Sequence, residues 1–295
     1  MAPDRTEITA RVQIVAAAAL FSTGGAFIKA TALDGFQVAS FRSGVAVLAV
    51  LAMLPGARRR PTAAAGVVAL AYAATLVLFV FATKMTTAAN AIFLQSTAPI
   101  YLVLLGPWLL REPVRRRDLL LLPVLGAGLA LFFVGVEHPQ ATAPAPFTGN
   151  ILALLSGVAW ALTLVGLRFM GRREAAGGAG AVTAVVLGNL VACVAVLPWA
   201  LPVVAATPRD ALVIAYLGIV QIGIAYACLT AALRHVDAMA ATLLLFVEPV
   251  LNPVWAYLVH GETAGPLALA GGALILAGTF VKNLIDMRPL RAARD

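Results

Sequence analysis

Ten stretches of about twenty residues, apolar on every side, dominate this chain and leave few folds open to it. They run over residues 8–30, 36–54, 62–83, 86–110, 118–136, 149–170, 180–201, 209–233, 237–259 and 266–285. A hydrocarbon core of about 30 Å takes roughly 20 helical residues to cross, and each run has that length and ends at charge, Pro or Gly. Soluble helices and strands alternate apolar with polar positions, which these runs do not. Of 295 residues, 62% are hydrophobic and 12% charged, against about half and a quarter in soluble domains. The prediction is an all-α integral membrane fold with ten transmembrane helices. The connections are too short for a soluble domain. The first run follows Asp4, Glu7 and Arg11 and is followed by Lys29, so it reads as a first anchor rather than a signal peptide.

A net charge of +8 raises the question of nucleic acid, but the arginines cluster between apolar runs instead of forming one basic face. No nucleic-acid partner is expected. Lys and Arg are retained on the cytoplasmic side of a membrane. With the N-terminus inside, Lys29, Lys84 and Arg209 are the outer cations and Arg42 lies within a helix; the rest of the 21 fall inside. Both termini are therefore predicted to be cytoplasmic, in the inner membrane of a bacterium. Cys193 and Cys228 lie in apolar runs as small hydrophobes, and His138, His235 and His260 stand apart near helix ends. Neither a metal site nor a cofactor is expected, and no catalytic residue stands out.

The chain also repeats itself. Residues 91–114 (AIFLQSTAPIYLVLLGPWLLREPV) align with 240–264 (AATLLLFVEPVLNPVWAYLVHGETA) at a shift of 150, which pairs Pro99 with Pro249, Glu112 with Glu262 and Gly128 with Gly278. Near the start of each half a shift of 139 pairs Phe21 with Trp160 and Lys29 with Arg168. The organisation is a first five-helix repeat over 1–136, an outer linker over 137–148, a second repeat over 149–285 and a cytoplasmic tail over 286–295. Five is odd, so the second copy enters the membrane upside down. The loops agree: the segment from Arg111 to Arg117 is strongly basic, whereas its partner from His260 to Pro266 has no Lys or Arg. Secondary transporters built from such inverted repeats bind substrate at mid-membrane between the halves.

The pattern FSTGGAFIK in the first helix, Pro99 followed by Arg111-Glu112-Pro113, and Glu248-Pro249-Val250 followed by Gly261-Glu262 resemble the drug/metabolite transporter superfamily, specifically its ten-helix EamA-type exporters. The resemblance covers essentially the whole chain and in general character is closest to the aromatic amino acid exporters. It implies export of amino acids or related metabolites by alternating access, from a cavity lined by helices one, three, four, six, eight and nine. The partners are then a small-molecule substrate and the lipid bilayer, with no partner subunit evident. A membrane-embedded lipid-linked transferase would need clustered acids, His or metal ligands at a membrane face, and a scaffold would need large loops; the sequence offers neither. Export of nucleosides or other metabolites stays open.

The candidate substrate-binding residues are Ser22, Thr23, Phe79, Phe93, Gln95, Trp160, Thr163, Gln221, Tyr226, Glu248 and Asn252. Trp160 with Phe79, Phe93 and Tyr226 could wall a ring-bearing or aliphatic substrate. The Ser, Thr, Gln and Asn side chains could hold its polar ends, or serve helix packing instead. Glu248 is the only acid deep in a span, roughly 16 Å beyond Asp237 at 1.5 Å per residue. It is either a functional carboxylate or a neutral hydrogen-bond donor to a neighbouring helix. Pro99 and Pro249 kink helices four and nine and free the carbonyls of Gln95 and Leu245. Arg42 is expected to snorkel toward the outer surface. Gly24, Gly25, Gly271 and Gly272 fit close helix contact, not phosphate binding.

The orientation predicts that single cysteines replacing Arg59, Arg116 or Arg172 are shielded from an impermeant thiol reagent in intact cells, in a background without Cys193 and Cys228. A cysteine in the 137–148 linker, placed at Ala143, is labelled. The opposite pattern reverses the orientation.

Overall fold

The computed structural model describes residues 5–109, 116–173, 179–233, 235–236 and 238–292. Arg111, Glu112, Pro113, Arg115, Arg234 and Asp237 of the sequence argument lie outside them. Among the described residues the only strand-like pairing is an isolated bridge between Gln140 and Ala143. Among these residues nine helices are long and apolar enough to cross a membrane. They are α1 (Arg5–Lys29), α2 (Gly35–Met53), α3 (Ala63–Met85), α4 (Ala88–Leu109), α6 (Pro146–Met170), α7 (Gly180–Ala200), α8 (Pro208–Ala232), α9 (Ala240–His260) and α10 (Pro266–Ile285). A shorter apolar helix, α5 (Asp118–Val134), stands in the fifth place.

Local chemistry starts and stops these helices. Asp34 accepts from the Gln37 N–H while Gln37 reaches back to the Asp34 N–H, a capping box opening α2. Thr62 and Thr87 cap α3 and α4 with their hydroxyls. Asp210 and Thr207 form the same reciprocal cap at α8. At the far end of α9, Gly261 takes φ 66°, the left-handed conformation that glycine adopts at no steric cost.

Three spans are broken. α1 divides at Thr23 between Arg5–Ser22 and Gly24–Lys29, α4 between Ala88–Gln95 and Ala98–Leu109, and α9 at Phe246 between Ala238–Leu245 and Val247–His260. In α8 the helix widens to a π-form over Tyr216–Ile224. The breaks in α4 and α9 fall at Ser96 and Phe246, positions related by the 150-residue shift and each three residues before its proline. Pro99 has no N–H for the Gln95 carbonyl, which must find cover elsewhere. It faces Gly157 of α6: a methyl group added there would stand 3.1 Å from the carbonyl oxygens of both Leu94 and Gln95. In the first repeat, therefore, a neighbouring helix covers the carbonyl that the proline frees.

The halves pack through one another. α3 lies on α6 and α7, α2 on α7 and α8, α1 on α8 and α9, α4 on α6 and α9, and α5 on α10. Moving each helix five places along the chain turns α3–α6 into α8–α1, α4–α6 into α9–α1 and α2–α8 into α7–α3. It returns α2–α7, α4–α9 and α5–α10 to themselves. Small residues bring these backbones together, as apolar surface alone does not drive association in lipid. Gly166 sits against Val68, Gly188 against Tyr72, and Gly128 against Gly271.

Two expectations are corrected. Arg42 does not snorkel: the residue is 2% exposed, and its Nη2 donates to the Leu76 carbonyl of α3 at 3.3 Å. Helices α3, α7 and α8 pack around α2 and close its route outward. Ala143 is fully buried, so the labelling reporter belongs at Ala141, which is exposed.

Gly157→Val places branched carbons against the two carbonyls. It is expected to destabilise the protein by about 1–3 kcal/mol, as overpacking does, with Gly157→Ala milder. Thermal unfolding in detergent checks the order; equal stability of all three proteins shows that the carbonyls have room.

Candidate functional site

At the end of the bundle opposite the N-terminus, the polar groups lock together. Lys29 at the end of α1 lies 2.7 Å from Glu262, just beyond α9, with side chains only 4% and 1% exposed. Lys29 Nζ also donates to the carbonyls of Thr86, at 2.8 Å, and Thr142. Glu262 Oε1 accepts the Ala88 N–H at 2.6 Å, at the start of α4. One ion pair thus ties α1, α4, α9 and the two connections that carry Thr86 and Thr142. Around it, His260 meets the Ala26 carbonyl, Asn90 and Thr86 both bond Asn150, and Lys84 donates to the Thr31 carbonyl. Asp210 accepts from Thr31 and the Ala32 N–H, pinning the α1–α2 connection to α8.

Among the described residues the N-terminal end is open. A cleft of ≈ 440 Å³ between α1 and α8 is lined by Arg5, Thr6, Thr9, Ala10, Gln13, Ala231 and His235. It adjoins a second hollow of ≈ 260 Å³ that shares Ala231 and His235 and adds Leu54, Ala227 and Thr230.

Between the sealed and open ends lies a polar and aromatic middle. Tyr226 of α8 donates its hydroxyl to that of Tyr72 in α3 at 2.9 Å. Phe21 and Trp160 flank the pair, with ring centroids 5.2 Å from Tyr226 and 6.5 Å from Tyr72 respectively. Glu248 lies within electrostatic reach of both hydroxyls, is half-buried, and makes no hydrogen bond or ion pair among the described residues. Gln221, in the π-form of α8, donates to the Phe21 carbonyl at 3.3 Å and leaves its Oε1 without a partner. Asn252 of α9 packs on Gly25 and likewise keeps an unpartnered Oδ1. A methyl group at Gly25 would stand 2.6 Å from that oxygen, so the glycine lets α9 approach α1.

The model of the EamA-like transporter family matches residues 9–134 and again 147–284. The chain belongs to that family. This multi-pass membrane protein therefore carries the family's two repeats, and the reading as a transporter of the drug/metabolite class stands. A protein of Archaeoglobus fulgidus named an uncharacterized transporter is 27% identical over 91% of this chain and 94% of its own length. The uncharacterized protein PA1977 of Pseudomonas aeruginosa is 33% identical, covering 85% and 88%. One solved crystal structure shares the fold with a TM-score of 0.62 at 19% identity, over 95% of this chain and 98% of that one.

In this family member the predicted site residues fall into distinct groups. Trp160 and Tyr226 gather around Tyr72, with Glu248 within electrostatic reach, while Gln221 and Asn252 meet the glycines after the α1 break. Ser22 and Thr23 form that break: Ser22 accepts from Trp255 Nε1 at 2.9 Å, and the Thr23 hydroxyl stands 3.1 Å from that of Tyr216. Gln95 donates to Ser156 on α6 at 2.7 Å. Thr163 is buried and bonds the Ala159 carbonyl of its own helix. Phe93 packs away from Trp160, against Phe132 and Gly272, and Phe79 sits between two apolar clusters. Sequence reasoning passed over Tyr72 and the Lys29–Glu262 pair. Tyr72 was one aromatic in an apolar run, but the two charges ended helices on the same side and were legible as partners.

Trp160→Ala removes an indole beside the hydroxyl pair. It is expected to slow flux of large side chains more than small ones, with a difference worth about 1–3 kcal/mol. Equal slowing of all substrates in proteoliposomes assigns Trp160 to packing alone.

Proposed function

We propose that the protein exports amino acids, aromatic or otherwise apolar, or related small metabolites across a bacterial inner membrane by alternating access. Its termini are cytoplasmic and its two repeats inverted. The observation that carries this reading is the asymmetry of the two ends, one locked by a buried ion pair and the other open as a cleft. A carrier must hold one end shut while the other admits substrate. In this orientation the open cleft faces the cytoplasm, where an exporter loads.

The mid-membrane cluster supplies both chemistries that such a substrate needs. Tyr72, Trp160, Phe21 and Tyr226 offer ring faces, while Gln221 and Asn252 offer acceptor oxygens without partners and Glu248 a carboxylate. The inverted arrangement is supported by the odd number of spans in each repeat and by the contact pattern that survives a five-helix exchange. Rocking of the repeats would release the Lys29–Glu262 end and close the cleft. The breaks in α1, α4 and α9 allow each span to bend at a defined point. Counterflow in proteoliposomes with amino acids, nucleosides and sugars tests the reading, and flux confined to nucleosides or sugars would move the substrate class.

Removing one partner of a buried ion pair typically costs about 3–5 kcal/mol, because the other charge stays buried. Glu262→Gln is therefore expected to weaken the sealed end and populate a conformation open there. A cysteine at the fully buried Ala88 then reacts faster with an impermeant reagent added outside. Exchanging the charges, Lys29→Glu with Glu262→Lys, restores protection. Unchanged labelling in Glu262→Gln removes the pair from gating.

A further inference from the structure

Arg42 is a cation buried in the middle of a membrane bundle with no acid beside it. Among the described residues it forms no ion pair, its Nε has no hydrogen-bond partner, and its Nη2 makes a long bond to a neutral carbonyl, that of Leu76, at 3.3 Å. A guanidinium presents five donors in a planar fork suited to a carboxylate. Intramembrane charges are costly and mark function by default. Glu248 has the complementary defect, a carboxylate within α9 with no cation beside it.

The two are not partners of each other. Arg42 Nη2 reaches α3 at the Leu76 carbonyl, one turn beyond Tyr72, whose hydroxyl accepts from Tyr226 of α8 at 2.9 Å, and Glu248 of α9 lies within electrostatic reach of both tyrosines. Since the Tyr226 proton is donated to Tyr72, it does not satisfy Glu248. The helix facing this region is also the one that departs from α-geometry. Gly218, in the π-form of α8, lies so close that a methyl group there would stand 2.9 Å from the Arg42 carbonyl oxygen. Single π-turns recur at functional sites.

We propose that Arg42 anchors an anionic group of the substrate and Glu248 a cationic one, so that the site selects a zwitterion with an apolar body. The assignment rests on the carrier reading above. A bound carboxylate replaces the Leu76 carbonyl on the guanidinium, exchanging a neutral acceptor for a charged one, and charge-assisted bonds are the stronger. A simple amine satisfies Glu248 and leaves Arg42 bare, whereas a simple acid does the reverse. The Tyr72 and Tyr226 rings, with Trp160 beside Tyr72, are the surfaces assigned to the apolar part.

Proteoliposomes loaded with L-phenylalanine and taking up the labelled compound test this, with phenethylamine, which lacks the carboxylate, and 3-phenylpropionate, which lacks the ammonium, as competitors. In the wild type, phenylalanine is expected to compete about tenfold better than either, or more, since buried polar groups left unpaired penalise the analogue. Arg42→Gln removes the advantage over phenethylamine while keeping that over 3-phenylpropionate, and Glu248→Gln does the converse. Arg42→Lys recovers part of the preference. A folded Arg42→Gln that still discriminates against phenethylamine overturns the role of Arg42. The wild-type competition needs no variant: a preference for the amine or the acid overturns the zwitterion assignment and leaves the carrier reading intact. Failure to move any of the three compounds, or any nucleoside or sugar, overturns the carrier reading and this assignment with it.

Discussion

Inside a bilayer there is no water to complete a hydrogen bond, so every polar group within the spans must find its partner in the protein. The structure is arranged around that constraint. Where Pro99 frees a backbone carbonyl, Gly157 lets α6 come close enough to cover it. Thr163, Thr75 and Thr279 return their protons to carbonyls one turn back in their own helices. Gln95 and Ser156 satisfy each other and reach the Thr75 carbonyl, joining α4, α6 and α3. Buried atoms without a hydrogen-bond partner remain on Arg42, Gln221 and Asn252, and also on Ser43, Thr83, Asn90 and Asn189; what sets Arg42 and Glu248 apart is that they are ionisable and sit within spans with no ion-pair partner among the described residues.

The same constraint explains why the sealed end depends on an ion pair. Two opposite charges buried together attract strongly in a medium of low dielectric, but their desolvation offsets much of that gain. Lys29 and Glu262 therefore gain little net stability over an apolar pair and much specificity. The position of α1 against α9 is fixed only while both are present and each keeps its backbone partners. An apolar seal would tolerate many small displacements, whereas a charge pair has a closed geometry and a broken one. That two-valued character suits a gate better than a structural core.

Much of the fold was legible in the sequence because lipid imposes one rule on length and composition. Run lengths gave the spans, and the 150-residue shift paired Pro99 with Pro249, the kinking prolines whose helices break three residues earlier, at Ser96 and Phe246. The break at Thr23 was less visible, since Ser, Thr and Gly also occur in unbroken membrane helices. The site was legible in part. Glu248 and Trp160 stood out through rarity and depth; Trp160 lies beside Tyr72, and Glu248 is within electrostatic reach of it. Phe93 looked equivalent to Trp160 in the sequence, yet helix rotation turns it toward Phe132, and rotation is set by packing that no single run encodes. Arg42 was misjudged for the same reason. A snorkelling side chain needs an open path along its helix, and α3, α7 and α8 close that path.

The duplication and its violations divide the labour. Ser96 and Phe246 share a register and a helix break, as do the prolines that follow, so bending belongs to the repeat. Glu248 corresponds to Ala98, which is buried and apolar, so the carboxylate does not belong to the repeat. Arg42 likewise lies deep in α2, whose repeat partner α7 (Gly180–Ala200) has no Lys or Arg. Bending points must be matched in both halves if each end is to open in turn, because the two conformations exchange the halves' roles. A substrate contact has no such requirement, since one molecule occupies one site between the repeats. Residues that break the internal symmetry are thus the ones expected to touch the cargo, and here the two unpaired charges break it.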